Sequence, residues 1–224
     1  QIDDLIRIPP VTSHHKSIKI AKDINFDIKR IILFENDDFI IINKPSGLSV
    51  QPGTKIKNDL ISILKSHDEY SDAYLIHRLD KGTSGGLVIG KNYKVASDLG
   101  KLFAANKITK FYLALLSGVP KDSEIIINSP LKKMPLSTSK KVQVDDTGKA
   151  SMTKVNVIKQ YDNSFLAKIK INTGRMHQIR VHALDIGHPI CGDAEYGRRA
   201  INEKFREIGL NRIFLHSYEM SFNY

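Results

Sequence analysis

The sequence is poor in cysteine, in acidic residues and in long apolar runs, and each shortage narrows the class of protein. Its single cysteine, Cys191, has no partner for an internal disulfide and cannot build a zinc site of several thiolates. One thiol suits a reducing compartment, so we expect a cytoplasmic location. No apolar run approaches the ~20 residues that a membrane-spanning helix needs. We therefore expect no membrane partner.

Basic residues clearly outnumber acidic ones. The 224 residues include 34 Lys and Arg against 24 Asp and Glu, which gives a formal net charge of +10 and a pI near 9.5. A domain this basic commonly binds a polyanion, so the charge favours a nucleic-acid partner over simple solubility. Residues 132–141 hold four lysines and no acid and are predicted to form an exposed basic loop. Within it, Lys132 and Lys133 are candidates for phosphate contacts.

Apolar runs that suit strands outnumber those that suit helices. Strands are predicted at residues 31–34, 39–42, 87–89, 111–116, 124–127, 153–159, 165–171 and 214–222, and helices at 59–65, 94–106, 175–186 and 200–208. Several neighbouring strands are joined by hairpin-like turns. The pattern predicts an α+β fold with a mixed, largely antiparallel central sheet and flanking helices. Residues 1–29 are interpreted as a leader and residues 30–224 as the catalytic domain.

The histidines invite a metal-site interpretation, which their spacing disfavours. His177 and His182 lie five residues apart on a predicted helix, so their side chains diverge by about 140°. Zincin ligands are instead four residues apart on one helical face. Without a cysteine pair to support them, we predict no metal site.

The segment 77–85 (H-R-L-D-K-G-T-S-G) places one carboxylate, Asp80, between a cation and a run of turn-forming residues. Asp80 can be a catalytic nucleophile, a turn residue that caps nearby amides, or the flank of a serine elbow at Ser84. An elbow needs a strand before its serine and a helix after it. Here an apolar strand follows the serine, which disfavours a hydrolase. For an isolated turn aspartate, capping is the simpler interpretation.

A second polar segment weakens the capping interpretation. Five polar or charged side chains crowd eight positions of one predicted helix, so they cannot all face solvent. They are Arg175, His177, Gln178, Arg180 and His182. A buried arginine without a carboxylate costs several kcal/mol, and Asp80 is a candidate partner. Such a pair would keep Asp80 ionised and nucleophilic.

Five segments, in order, resemble the motifs of the RNA pseudouridine synthases, specifically the family with an H-R-L-D-x-x-T-S-G motif. They are residues 43–48, 77–85, 110–114, 173–197 and 209–216. The resemblance runs through most of the chain and implies the pseudouridine synthase catalytic fold. Residues 3–10 resemble the end of a small S4 RNA-binding domain that precedes the catalytic domain in this family, which would explain the leader.

The resemblance also implies an activity: isomerisation of specific uridines to pseudouridine in large-subunit (23S) ribosomal RNA. The C–N glycosidic bond breaks, the uracil rotates and a C–C bond forms, without a metal or small-molecule cofactor. By motif position, Asp80 is the nucleophile or the base that acts on the ribose. Tyr112 packs against the uracil, and Arg180 pairs with Asp80.

The resemblance implies RNA contacts as well. Arg78 would fill the space left by a uridine that leaves its stack, because the reacting atoms are inaccessible inside a helix. The other residues expected to contact RNA are His77, Arg175, His177, Lys132 and Lys133. We expect a monomer whose partner is ribosomal RNA. A competing hypothesis is an RNA-binding assembly factor without catalysis, which the presence of Asp80, Tyr112 and Arg180 disfavours.

Overall fold

Short strands and a few short helices alternate along the chain. The computed structural model describes residues 27–52, 59–135 and 142–224, together with the backbone of residues 5–7. The strands are β1 Leu5–Arg7, β2 Ile32–Glu35, β3 Phe39–Lys44, β4 Tyr74–Leu75, β5 Ser84–Gly90, β6 Thr109–Ser117, β7 Glu124–Ile127, β8 Leu131–Lys133, β9 Val142–Val144, β10 Thr153–Gln160, β11 Ser164–Ile171 and β12 Leu215–Ser221. The α-helices are α1 Leu60–Lys65, α2 Tyr93–Ala104, α3 Gln178–Asp185 and α4 Arg199–Glu207, and 3-10 helices occupy Ile28–Ile31 and Asp68–Tyr70.

The first of two compact units combines Gln1–Ile108 with Ser217–Tyr224. Its strands follow the order β2-β3-β5-β12, with β1 on β12 and β4 on β5. Every residue of β5 is buried, as expected for a strand covered on both faces. Helix α2 packs its apolar side against this sheet in a cluster of buried residues. The cluster comprises Phe39, Ile41, Val88, Val95, Leu99, Ile108 and Met220.

The second unit comprises Thr109–His216, and its strands follow the order β6-β11-β10-β7. Buried and half-buried residues alternate along β6, because successive side chains of a strand point to opposite faces. A separate pair, β8 and β9, lies beside α3 and closes a small core. That core is formed by Leu131, Val142, Val181 and Tyr196.

The pairings confirm the predicted α+β class with a largely antiparallel sheet. Strand β6 pairs antiparallel with β11 through eight residue pairs, and β11 pairs antiparallel with β10. Most predicted elements occur within two or three residues of their expected bounds. Residues 31 and 84–86 differ, since Ile31 belongs to a 3-10 helix and β5 begins at Ser84. None of the helices in the described ranges is long and apolar enough to cross a membrane.

Two predictions about local structure are wrong. The predicted helix at 175–186 begins only at Gln178, because His177 has a left-handed backbone with φ of 54°. Arg175 therefore precedes the helix. Lys132 and Lys133 lie in strand β8, paired with β9, and not in a loop, although both side chains remain exposed. The rest of the predicted basic loop, residues 136–141, and most of the predicted leader lie outside the described residues.

The buried histidines of the second unit predict acid-sensitive stability. Burial, helped by the charge of Arg212, lowers the pKa of His216 from 6.5 to about 4, and burial also lowers the pKa of His182. Between these values the unfolded chain binds a proton that the native His216 does not. The contribution of the neutral His216 to the free energy of unfolding is therefore fully present above pH 6.5. It is lost as the pH falls towards 4, and the loss amounts to about 3 kcal/mol.

Urea unfolding at pH 7 and pH 5 measures this effect. We expect His216→Gln to flatten the pH dependence of the unfolding free energy. An unaltered slope in His216→Gln would contradict the assignment.

Candidate active site

The segment around Asp80 forms a loop between β4 and β5. Leu79 is buried and anchors the loop, whereas the neighbouring Arg78 is exposed and Asp80 is half-buried. The turn after Asp80 is closed by the backbone, since Thr83 N–H donates to the Asp80 carbonyl at 3.0 Å. Anchoring Leu79 thus fixes the backbone between the exposed Arg78 and the half-buried Asp80.

The segment after β3 holds this loop from the other side. The fully buried Lys44 ammonium donates to the carbonyls of Pro45 at 3.0 Å, Leu48 at 2.8 Å and Lys81 at 3.2 Å. Gly47 N–H donates to the same Lys81 carbonyl at 2.8 Å. Three backbone carbonyls thus balance one buried charge, and the residue after Asp80 is fixed by two donors.

Two further contacts fix the ends of the loop. Ser46 Oγ donates to the Gly82 carbonyl at 2.6 Å. At the other end, Val88 N–H donates to His77 Nε2 at 3.0 Å, and the His77 ring stacks on Phe103 at 4.4 Å. Because Nε2 accepts a hydrogen bond, this geometry requires the tautomer with the proton on Nδ1. His77, predicted to contact RNA, thus also has a packing role.

The Lys44 contacts predict a large loss of stability for Lys44→Met. Methionine keeps the length of the side chain but removes the donor to the Pro45 and Leu48 carbonyls and leaves the Lys81 carbonyl with Gly47 N–H alone, at a cost of about 2–4 kcal/mol. Lys91→Met is the matched control, because Lys91 binds Glu35 at 2.9 Å at a partly exposed site of the same unit; its loss should stay below about 1 kcal/mol. Chemical denaturation measures both. Similar losses would show that the Lys44 network does not stabilise the fold.

Ser84 does not have the setting of a nucleophile elbow. It is buried and is the first residue of β5, so the strand follows the serine, as the sequence indicated. An elbow would place the strand before the serine and a helix after it. The strand order thus disfavours Ser84 as a nucleophile, and the catalytic role of Asp80 stays a prediction.

In the second unit, Arg180 is the centre of a buried ionic cluster. Its Nε donates to Asp193 Oδ2 at 2.7 Å and its Nη2 to Asp193 Oδ1 at 2.8 Å, while Glu195 Oε2 lies 3.4 Å from Nη2. The guanidinium carbon lies 4.8 Å from the centre of the Tyr196 ring. Burial alone raises the pKa of Asp193, but the bonds and charge of Arg180, together with the Tyr196 and Glu195 amides, outweigh burial and hold that pKa below its ordinary value.

The ion pair with Asp193 removes one argument for a pair between Arg180 and Asp80, namely that Arg180 would otherwise lack a carboxylate. The side chain of Arg180 is only 12% exposed, so it needs a carboxylate, and Asp193 meets that need within the same unit. Asp193 also caps its own turn, because the Glu195 and Tyr196 amides donate to its Oδ1. The sequence analysis did not predict the ion pair between Asp193 and Arg180. The pairing with Asp80 stays a prediction that rests on the family resemblance.

Tyr112 lies on strand β6 and is 7% exposed. Lys110, two residues earlier, shares its face of the strand and is 5% exposed. Burial lowers the pKa of this lysine. An aromatic side chain and a desolvated cation therefore occupy neighbouring positions on one face, and no local sequence pattern indicated that Lys110 is buried.

The remaining residues predicted to bind RNA differ in how far their side chains are exposed to solvent. Arg175, Lys132 and Lys133 are exposed. His177 is buried, and its Nδ1 lies 2.9 Å from the Tyr196 hydroxyl. In the described ranges, no three His, Cys, Asp or Glu side chains are grouped so that they could hold a metal ion.

Comparison with known proteins places this arrangement in a family. The model of the RNA pseudouridylate synthase family matches residues 38–185, well over half of the chain. The chain belongs to the RNA pseudouridylate synthase family. It is therefore an RNA pseudouridine synthase, an isomerase. The matched range contains Asp80, Tyr112 and Arg180, whereas Asp193 and Glu195 lie beyond it.

Relatives of this pseudouridine synthase are similar over the whole chain. The ribosomal large subunit pseudouridine synthase C of Buchnera aphidicola subsp. Baizongia pistaciae is 37% identical, with 99% of this chain and 72% of the relative covered. The protein of that name from Haemophilus influenzae is 38% identical over 100% of this chain and 71% of the relative. The solved structure of human RNA pseudouridylate synthase domain containing 1 is 27% identical with a TM-score of 0.71, covering 84% of this chain and 76% of that one.

Proposed function

We propose that this synthase converts specific uridines of large-subunit (23S) ribosomal RNA to pseudouridine, with Asp80 as the nucleophile on a flipped-out nucleotide. The observation that carries the proposal is the Asp80 loop, a half-buried carboxylate on a backbone fixed by Lys44, Ser46 and Gly47. A catalytic group held this firmly loses little entropy when the substrate arrives. The names of the relatives support large-subunit ribosomal RNA as the substrate.

The proposed reaction needs few catalytic side chains. Asp80 attacks the flipped nucleotide and the bond between C1′ and N1 breaks. The detached uracil turns so that C5 bonds to C1′, while the covalent bond to Asp80 breaks and frees the carboxylate. The proton on C5 then leaves and N1 gains one, so the product is an isomer of uridine. Tyr112 packs against the uracil and assists proton transfer. Because the reaction is an isomerisation, it needs no oxidant, no reductant and no organic cofactor.

Arg78 is suited to replace the flipped base. It is exposed, and within the described ranges its side chain has no hydrogen-bonding or ionic partner. Its neighbour Leu79 is anchored in the protein, so the backbone that presents the guanidinium is fixed. Unstacking a nucleotide costs a few kcal/mol, which a cation placed in the gap offsets by stacking and phosphate contacts.

The positive charge supports binding of the flanking RNA. A net charge of +10 favours phosphate contacts, and the exposed Lys132, Lys133 and Arg175 are candidates for them. His77 and His177 are proposed to act on RNA through the loops that they support. The monomeric state and the cytoplasmic location remain predictions.

Mapping pseudouridines in ribosomal RNA tests the reaction and the substrate together. RNA from a strain that lacks the gene should lose a defined set of pseudouridines in 23S RNA, and the purified protein should restore them in vitro on that RNA. Small-subunit RNA and transfer RNA from the same strain serve as controls. Unchanged 23S RNA with losses in either control would overturn the proposed substrate, and unchanged RNA in all three would overturn the proposed activity.

A further inference from the structure

The turn at residues 192–197 holds a carboxylate in one orientation. Asp193 is 1% exposed, and its Oδ1 accepts from the Glu195 and Tyr196 amides at 2.9 and 3.0 Å. Asn202 binds both sides of the turn, since its Nδ2 donates to the Asp193 carbonyl and its Oδ1 accepts from Gly192 N–H, each at 2.8 Å. The contacts within the turn therefore fix the Asp193 carboxylate without help from a cation.

This fixed carboxylate holds one edge of the Arg180 guanidinium. The paired contacts at 2.7 and 2.8 Å involve Nε and Nη2 and set both the position and the plane of the group. A guanidinium has five N–H donors. Asp193 therefore orients Arg180 without using all of its capacity to donate.

Tyr196 fixes the group in the remaining direction. Its ring lies beneath the guanidinium, and its hydroxyl accepts from Val142 N–H at 3.2 Å and contacts His177 Nδ1 at 2.9 Å. His177 in turn precedes α3 as its N-terminal cap, and its carbonyl accepts the first helical bond from Val181 N–H at 2.9 Å. The ring is thus tied to strand β9 and to the start of the helix that carries Arg180.

Stability alone is a poor explanation for this arrangement. Burying two charges costs about as much desolvation energy as their attraction returns, and apolar replacements of such pairs are often as stable. A buried, bidentate, ring-stacked arginine does have one clear physical result. It loses its rotational freedom, so it meets its next partner already oriented.

We propose that Asp193 and Tyr196 are positioning residues of the reaction, which act by orienting Arg180. The inference rests on the proposed function and on the pairing of Arg180 with Asp80 that the family resemblance implies. It adds two residues from the 192–197 turn to which the family resemblance gave no role. It also predicts that their effects depend on Arg180, which a purely structural role would not require.

Single-turnover rates on 23S RNA test the proposal in a double-mutant cycle. Asp193→Asn should slow the reaction by about 10²-fold, the cost of a misplaced catalytic group, with RNA affinity changed no more than about 2-fold because binding depends on many phosphate contacts. In an Arg180→Lys background, Asp193→Asn should cause little further loss. Multiplicative losses would mean that Asp193 acts independently of Arg180, which overturns the proposal.

Two further variants separate positioning from folding. Tyr196→Phe keeps the ring but loses the hydroxyl contacts, so it should fold and show a smaller, Arg180-dependent loss of about 3–10-fold; this variant decides the matter if Asp193→Asn does not fold. Phe165→Ala destabilises the same unit from a fully buried position and should retain the wild-type rate at a temperature where it is folded. An inactive wild type would refute the proposed function. An active wild type with unimpaired Asp193 and Tyr196 variants would refute this inference alone.

Discussion

Asp80→Asn is expected to reduce tritium release from RNA that carries 5-³H-uridine by about 10³-fold or more. Asparagine has nearly the same shape as aspartate, so the loop fixed by Lys44 and Leu79 should keep its fold. An amide is neither a nucleophile nor a base at neutral pH, so the chemical step loses its attacking group. Release of tritium reports on that step directly, because the C5 hydrogen leaves when C5 bonds to the ribose.

Asp72→Asn is the matched control for this experiment. Asp72 is exposed, lies eight residues before Asp80 in the same unit, and should give wild-type release. Thermal unfolding and RNA binding of the Asp80 variant should both match the wild type, which locates its defect in catalysis. Wild-type release by Asp80→Asn would refute the role of Asp80. Binding without release by the wild type would favour an RNA-binding assembly factor.

The strands of both units were largely predictable, because their signals are local. The first four residues of β3, from Phe39 to Ile42, are apolar, and the alternation along β6 marks one buried face. The start of α3 was not predictable in the same way. Gln178 Oε1 accepts from Arg175 N–H and from the Thr173 hydroxyl, and His177 takes a left-handed backbone. Contacts among side chains, not helix propensity, decide where that helix begins.

The need of Arg180 for a carboxylate was predictable from the sequence, but the identity of that carboxylate was not. The rule that a buried arginine needs a carboxylate applies to Arg180. The sequence contains 24 acidic residues, and nothing local identified Asp193 among them. Lys44 shows the same limit, since its bond to the Lys81 carbonyl joins residues 37 positions apart. Pairings of this kind depend on the fold, which composition and spacing do not supply.

Gly85→Ala is expected to be the most destabilising single-methyl substitution in the Asp80 segment. Gly85 lies in β5 with φ of +104°, where an L side chain is strained. A Cβ there would lie 2.2 Å from the carbonyl oxygen and 2.8 Å from the nitrogen of Ser217, both backbone atoms of β12. Because paired strands cannot shift as a side chain can, we expect a cost of about 2–6 kcal/mol from strain and overlap together.

Gly47→Ala separates strain from overlap, because Gly47 has a similar φ of +91° but a Cβ added there would meet no atom within 4 Å among the described residues. The loss of unfolding free energy in Gly47→Ala should come from backbone strain alone, about 1–3 kcal/mol. Urea denaturation of both variants gives the difference, which measures how closely β5 and β12 approach each other. Equal losses would mean that β12 yields to the methyl group. A larger loss for Gly85→Ala would show that the last glycine of the Asp80 segment is required because two backbones meet there.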